Sequence, residues 1–175
     1  MHNIELKARL PSPDAAYETA RGLCEKDPDA VLHQTDTYFV VPAGRLKLRE
    51  IVTRGSDARS AELIFYERAD DAGPKTCEYE ITPVAEPDGL TRTLAAALGV
   101  RTVVVKERTL FLYKNVRIHL DRVETLGAFL EFEAVMSDGV PEEQGEPLVA
   151  ELMKRFGLSE GDLVRESYVD LVERR

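Results

Sequence analysis

Apolar and polar residues alternate along much of this 175-residue chain, and a period of two marks half-buried strands. Ile4, Leu6, Ala8 and Leu10 interleave with Asn3, Glu5, Lys7 and Arg9, so a first strand carries the two sets on opposite faces. Strands are expected at 36–41 and 45–51, a hairpin turned by Pro42-Ala43-Gly44. Two more follow at 61–68 and 76–82, around the loop Asp70-Asp71-Ala72-Gly73-Pro74. The last three span 103–113, 116–123 and 128–135, with turns at Lys114-Asn115 and at 124–127. Elsewhere the period lengthens. From Pro13 to about Lys26, Ala16, Ala20 and Leu23 share a helical face. Asp88 is placed to cap a helix that ends at Leu98 before Gly99. A helix over 142–156 stops at Gly157, and 166–172 reads as a short final one.

Short turns between neighbouring strands imply antiparallel pairing. The expected architecture is α+β: an eight-stranded antiparallel β-barrel, closed or nearly closed, with helices packed outside. No repeat, low-complexity run or linker divides the chain, so residues 1–175 read as one domain. With 23 Lys and Arg against 32 Asp and Glu, the net charge is −9, which argues against general binding of nucleic acid or anionic membrane. Cys24 and Cys77 fit neither a zinc spacing nor a framework of bridges. The alternating start is no signal peptide, and no apolar run reaches the roughly 18 residues of a membrane span. A cytoplasmic domain is expected.

The polar strand faces are unusual. Arg45, Lys47 and Arg49 share one face, as do Lys106 and Arg108. Arg117, His119 and Asp121 form a third set, and Glu131 and Glu133 alternate with Leu130 and Phe132. Like charges at i, i+2 and i+4 sit about 7 Å apart along the strand, and need something negative between them. Surface salt bridges, at about 0–1 kcal/mol each, are a poor reason to gather so many. A polyanion among Arg and Lys explains the pattern better, with carboxylates nearby to hold a divalent metal. A barrel apolar outside and charged within supplies that geometry.

Several motifs, in order and spacing, resemble the CYTH family of class IV adenylyl cyclases and thiamine triphosphatases, also called triphosphate tunnel metalloenzymes. They are Asn3-Ile-Glu-Leu-Lys-Ala-Arg9, Gln34-Thr-Asp-Thr-Tyr38, Arg45-Leu-Lys-Leu-Arg49, Lys106-Glu-Arg108, His119-Leu-Asp121, Leu126-Gly-Ala-Phe-Leu-Glu-Phe-Glu133 and Arg165-Glu-Ser-Tyr168. The resemblance implies an eight-stranded tunnel that binds a triphosphate with Mg²⁺ or Mn²⁺. It implies metal ligation by Glu5, Glu131 and Glu133, with Asp121 near the metal or the attacking group. Phosphate contacts would come from Lys7, Arg9, Arg45, Lys47, Arg49, Lys106, Arg108 and Arg117, of which Lys7 and Arg108 join Asp121 in catalysis. Arg68 and Lys75 flank what looks like the family's mobile cover. One departure stands out: the family's Glu-x-Glu-x-Lys reads Asn3-Ile4-Glu5-Leu6-Lys7 here. Asn coordinates only through a neutral amide oxygen, which weighs against a second metal. His2 is a potential ligand but, so near the terminus, reads as a solvated side chain.

The His119-Leu-Asp121 and Leu126-Gly-Ala-Phe129 stretches look nearer the cyclase branch. The leading expectation is therefore an enzyme converting ATP to cyclic AMP and pyrophosphate. A triphosphatase acting on tripolyphosphate, thiamine triphosphate or a nucleotide is the alternative. A polyphosphate-binding protein with weakened catalysis, through Asn3, is a third. The expected partner is a small triphosphate, in a monomer or homodimer. Cys24 reads as a core thiol and Cys77 as unreactive; His33 reads as a surface group. Tyr17, Phe39, Phe65, Phe111, Phe132 and Phe156 read as packing.

Overall fold

The structure is a computed structural model that describes residues 2–56, 58–68, 75–136 and 142–175. Its strands are β1 (His2–Arg9), β2 (Ala30–Phe39), β3 (Arg45–Thr53), β4 (Arg59–Arg68), β5 (Lys75–Pro83), β6 (Val100–Tyr113), β7 (Val116–Val123) and β8 (Gly127–Met136). Its helices are α1 (Pro13–Cys24), α2 (Pro87–Leu98), α3 (Glu142–Arg155) and α4 (Tyr168–Glu173). The strands pair antiparallel in the order β1-β5-β4-β3-β2-β6-β7-β8, and β8 returns to β1. The seam between β1 and β5 holds only from His2 to Glu5. The eight strands thus form a curled antiparallel sheet in which this is the shortest of the pairings among the described residues. β2 starts six residues before the expected 36 because Ala30–Thr35 pair with the long strand β6, a tertiary contact that outweighs their weak alternation. Asp88 is not the cap of α2; Glu86 holds that position and Asp88 lies in the first turn.

The outer face of the roll is apolar where helices cover it. Leu6, Ile118, Leu130 and Phe132 are buried with Ala16 and Ala20 of α1 and Val149 and Leu152 of α3. Tyr17 meets Phe111 edge-on at 5.6 Å, and Phe156 meets Phe132 at 5.3 Å. Each fully buried Leu or Phe contributes about 1.5–3 kcal/mol, which makes this face the main fastening of the fold. Cys24 packs at its margin. Phe65 departs from the expected core: it is 37% exposed, because α1 and α3 lie against β6, β7, β8 and β1, away from β4. His33 is exposed, as expected.

A second core closes one end of the interior. Tyr168 and Val169 of α4 pack against the inward-facing Tyr38, Val104, Val123 and Phe129. The helix is seated by Ser167, whose hydroxyl and backbone pair reciprocally with Asp170. No helix among the described residues is long and apolar enough to cross a membrane.

Candidate functional site

The alternation that buries one face of each strand under helices turns the other face inward. Odd positions of β1, β3, β7 and β8 and even positions of β2, β4 and β6 line a cavity of about 600 Å³. Cross-strand registers set the side chains in rows: Asp36 opposite Arg49, Arg108 opposite Asp121, His119 opposite Glu131, and Lys7 opposite Glu131.

Two aspartates anchor the cations. Asp36 accepts from Arg49 Nε and a terminal guanidinium nitrogen, both at 2.7 Å, and from Lys47 Nζ at 2.9 Å. Asp121 accepts from Arg108 at 2.7 and 2.6 Å, from the Tyr168 hydroxyl at 2.9 Å and from Lys106 at 3.4 Å. Glu131 pairs with Lys7 at 3.1 Å and with Arg108. Glu133 accepts from the Asn3 amide at 2.5 Å and meets Arg117 at 3.3 Å. Lys7 and Lys106 also lie over the Tyr168 ring, at 3.9 and 4.8 Å from its centre. That ring, on α4, is the floor of the tunnel.

Comparisons with known proteins bear on the family and the fold. A family model described as the CYTH domain matches residues 1–168. The chain belongs to the CYTH family. A Pyrococcus horikoshii protein superposes on this CYTH chain with a TM-score of 0.81 at 25% identity, covering 97% of this chain and 98% of its own. A Vibrio parahaemolyticus protein described as a candidate adenylate cyclase gives 0.79 at 22%, covering 99% and 98%. A candidate adenylyl cyclase from Hippeastrum, described as having a dominant triphosphatase activity, gives 0.57 at 15%, covering 98% and 95%. No curated protein matches.

The electrostatics of the CYTH tunnel are uneven. Burial pushes Lys106 down to about 7, helped by Arg108, and Lys47 down to about 8, helped by Arg49. Asp121 moves the other way: burial alone would raise it, but Arg108 and Lys106 outweigh that and hold it at about 2. Asp36 likewise lies well below the usual carboxylate range, Arg49 and Lys47 outweighing its burial. The arginines are thus claimed by two-point carboxylate pairs, while the lysines stay short of negative charge. A polyanion would relieve them.

The expected phosphate ligands divide by position. Lys7, Lys47, Arg49, Lys106, Arg108 and Arg117 line the cavity, Arg117 being half-exposed. Arg9 and Arg45 do not. They stand at the end closed by α4, where Arg9 is exposed with its guanidinium over Phe129 and Arg45 bonds Asp170 at 2.8 Å. Asp121 is buried, with both oxygens engaged by Arg108, which it shares with Glu131. The side chains of His2, Arg68, Lys75 and Cys77, like the loop 70–74, lie outside the described residues.

Among the described residues, no three His, Cys, Asp or Glu side chains converge as a ready-made metal site. The donor chemistry nevertheless suits a hard divalent cation. Glu5, Glu131 and Glu133 line the cavity together with Asn3, whose amide oxygen is buried without a hydrogen-bond partner. Sequence reasoning assigned no role to Asp36 or Tyr168. The alternation of Gln34, Asp36 and Tyr38 was a usable signal for the first. Tyr168 lies on a six-residue helix whose destination only the tertiary structure reveals.

Proposed function

We propose that this CYTH domain is a metal-dependent enzyme that binds ATP in the tunnel and converts it to cyclic AMP and pyrophosphate. The observation that carries the reading is the pair of buried, under-neutralised lysines, Lys47 and Lys106, set beside Arg49 and Arg108 around a 600 Å³ cavity. Such lysines are expensive to bury, and a triphosphate restores their charge. The part of the lining from β4 and β5 is different in kind, with Ile64, Tyr66, Tyr79 and Ile81. A tunnel cationic on one side and apolar-aromatic on another suits a triphosphate that carries an organic group.

In this reaction the ribose 3′-hydroxyl oxygen bonds to the α-phosphorus, its proton passes to solvent water, and the bond from that phosphorus to the bridging oxygen breaks, releasing pyrophosphate. Lys7, Lys106 and Arg108 hold the phosphates and stabilise the charge that grows on the leaving group. Asp121 holds Arg108 in place and, with its oxygens engaged, is not the proton acceptor. Glu5, Glu131 and Glu133 would hold Mg²⁺ or Mn²⁺, which supplies charge neutralisation at the phosphate oxygens when bound.

The second reading is a triphosphatase, in which water attacks the γ-phosphorus. The likeness in fold to the Hippeastrum protein, described as a dominant triphosphatase, favours keeping it. Phosphorus NMR of the products formed from ATP and Mn²⁺, recorded after a chelator has removed the metal, separates the two. Equal amounts of cyclic AMP and pyrophosphate are expected, whereas orthophosphate without cyclic AMP overturns the cyclase in favour of the triphosphatase.

A further inference from the structure

Gln34 of β2 is a buried amide in the tunnel wall with nothing to bond. It is 3% exposed and lines the cavity, yet its carbonyl oxygen has no hydrogen-bond partner. Among the described residues its amide NH₂ has none either. A buried carboxamide left unmatched is costly and rare, and points to a missing partner. The charged groups around it are already matched to one another. Asp36, two positions on, is filled by Lys47 and Arg49, and Lys106, directly across on β6, bonds Asp121 at 3.4 Å. No step of the reaction above uses Gln34.

Its place along the tunnel says what it meets. Tyr38, four residues on, packs with Tyr168 of the floor, so Gln34 stands farther from the floor than Asp36. Opposed side chains on paired strands have Cβ atoms about 4.5–5.5 Å apart, which sets the amide beside any phosphate held by Lys106. Phosphate oxygens are acceptors and leave the Gln34 oxygen unmatched. A carboxamide offers one acceptor and one donor group side by side, and the vicinal diol of a ribose offers the same two functions. Cyclisation brings the 3′ oxygen to the α-phosphorus, so the diol must lie against the phosphates, whereas the base lies a sugar farther away. We propose that Gln34 recognises the ribose of the nucleotide, its amide oxygen accepting from one hydroxyl of the 2′,3′-diol and its NH₂ donating to the other. The proposal rests on the ATP reading above and gives that site a specificity-determining residue, one that favours ribonucleoside triphosphates over deoxynucleotides. The amide takes no proton; it holds the diol where the 3′ oxygen faces phosphorus.

The test is calorimetric binding, with Mn²⁺ present, of α,β-methylene ATP, whose carbon bridge blocks cyclisation, and of its 2′-deoxy, 3′-deoxy and inosine counterparts. Tripolyphosphate is the control ligand. The variant is Gln34→Met, which keeps the length of the side chain and removes its hydrogen bonding; a thermal melt no lower than that of the wild type shows that the fold is kept. Expected is a loss of about three- to tenfold in wild-type affinity for each hydroxyl removed. In Gln34→Met the diol form should bind as weakly as the deoxy forms, while tripolyphosphate binds as it does to the wild type. A deoxy penalty that survives in the variant, or none in the wild type, overturns Gln34 as the ribose contact. So does an equal loss for tripolyphosphate, which would set the amide against phosphate, or a variant that loses only the discrimination against inosine, which would set it against the base. No binding of nucleotide or tripolyphosphate to the wild type overturns the triphosphate reading itself. Orthophosphate in place of cyclic AMP in the product test overturns the cyclase without touching these affinities, so the two failures are told apart.

Discussion

Arg108 grips Asp121 through two parallel hydrogen bonds, Nε to one carboxylate oxygen at 2.7 Å and a terminal nitrogen to the other at 2.6 Å. The pair is buried between β6 and β7, and the Tyr168 hydroxyl of α4 donates to the same carboxylate. One aspartate therefore fixes a cavity-lining guanidinium and the floor of the tunnel together.

Asp121→Asn should destabilise the protein by about 3–5 kcal/mol, because it strands a buried guanidinium. Denaturant unfolding measures this. The pH dependence has a definite sign. Asp121 is held at about 2 in the folded state, below its unfolded value near 4. Its contribution is complete above the unfolded value and disappears as pH falls through about 2.

Tyr168→Phe removes one donor from Asp121 and keeps the ring beneath Lys7 and Lys106. The expected loss is about 1 kcal/mol, seen as a shift in denaturant midpoint with the slope unchanged. A loss as large as that of Asp121→Asn would mean the hydroxyl does more than donate one bond.

Lys106→Met should raise stability while weakening triphosphate binding. Lys106 titrates at about 7 in the folded state and near 10.4 unfolded. Between those values the unfolded chain binds more protons, so the lysine's burden on folding eases as pH rises across that window. Methionine removes the burden at every pH. Unfolding curves at pH 6 and pH 9 should differ less in the variant than in the wild type.

Triphosphate binding at pH 8 should take up protons. Lys106 is mostly neutral there and Lys47, at about 8, is half so; a polyanion draws both back to the charged form. Calorimetry in buffers of differing ionisation enthalpy should give an uptake of roughly one proton, with affinity falling as pH rises above 8. Proton release instead would contradict the placement of phosphate against these lysines.

Most of the sheet was legible because each strand states its own face. Lys47 and Arg49 flank Leu48, and Glu131 and Glu133 flank Phe132, so one period of two defined both the core and the tunnel lining. What the pattern lacked was position along the tunnel. Arg9 and Arg45 share their faces with true lining residues, yet they fall at the end filled by Phe129 and α4. No periodic signal in residues 166–172 says where that helix docks. The charge of Asp121 is plain in the sequence, but its role as an anchor depends on Arg108 and Tyr168, the latter 47 positions away.

The central claim is that the tunnel interior is the triphosphate site. Isothermal titration of tripolyphosphate, with Mn²⁺ present, into wild type and Lys106→Met tests it most directly. The account predicts one molecule bound per chain and at least about tenfold weaker binding by the variant, with the fold intact or more stable. Equal affinity in the two proteins, or no binding to the wild type, would contradict it.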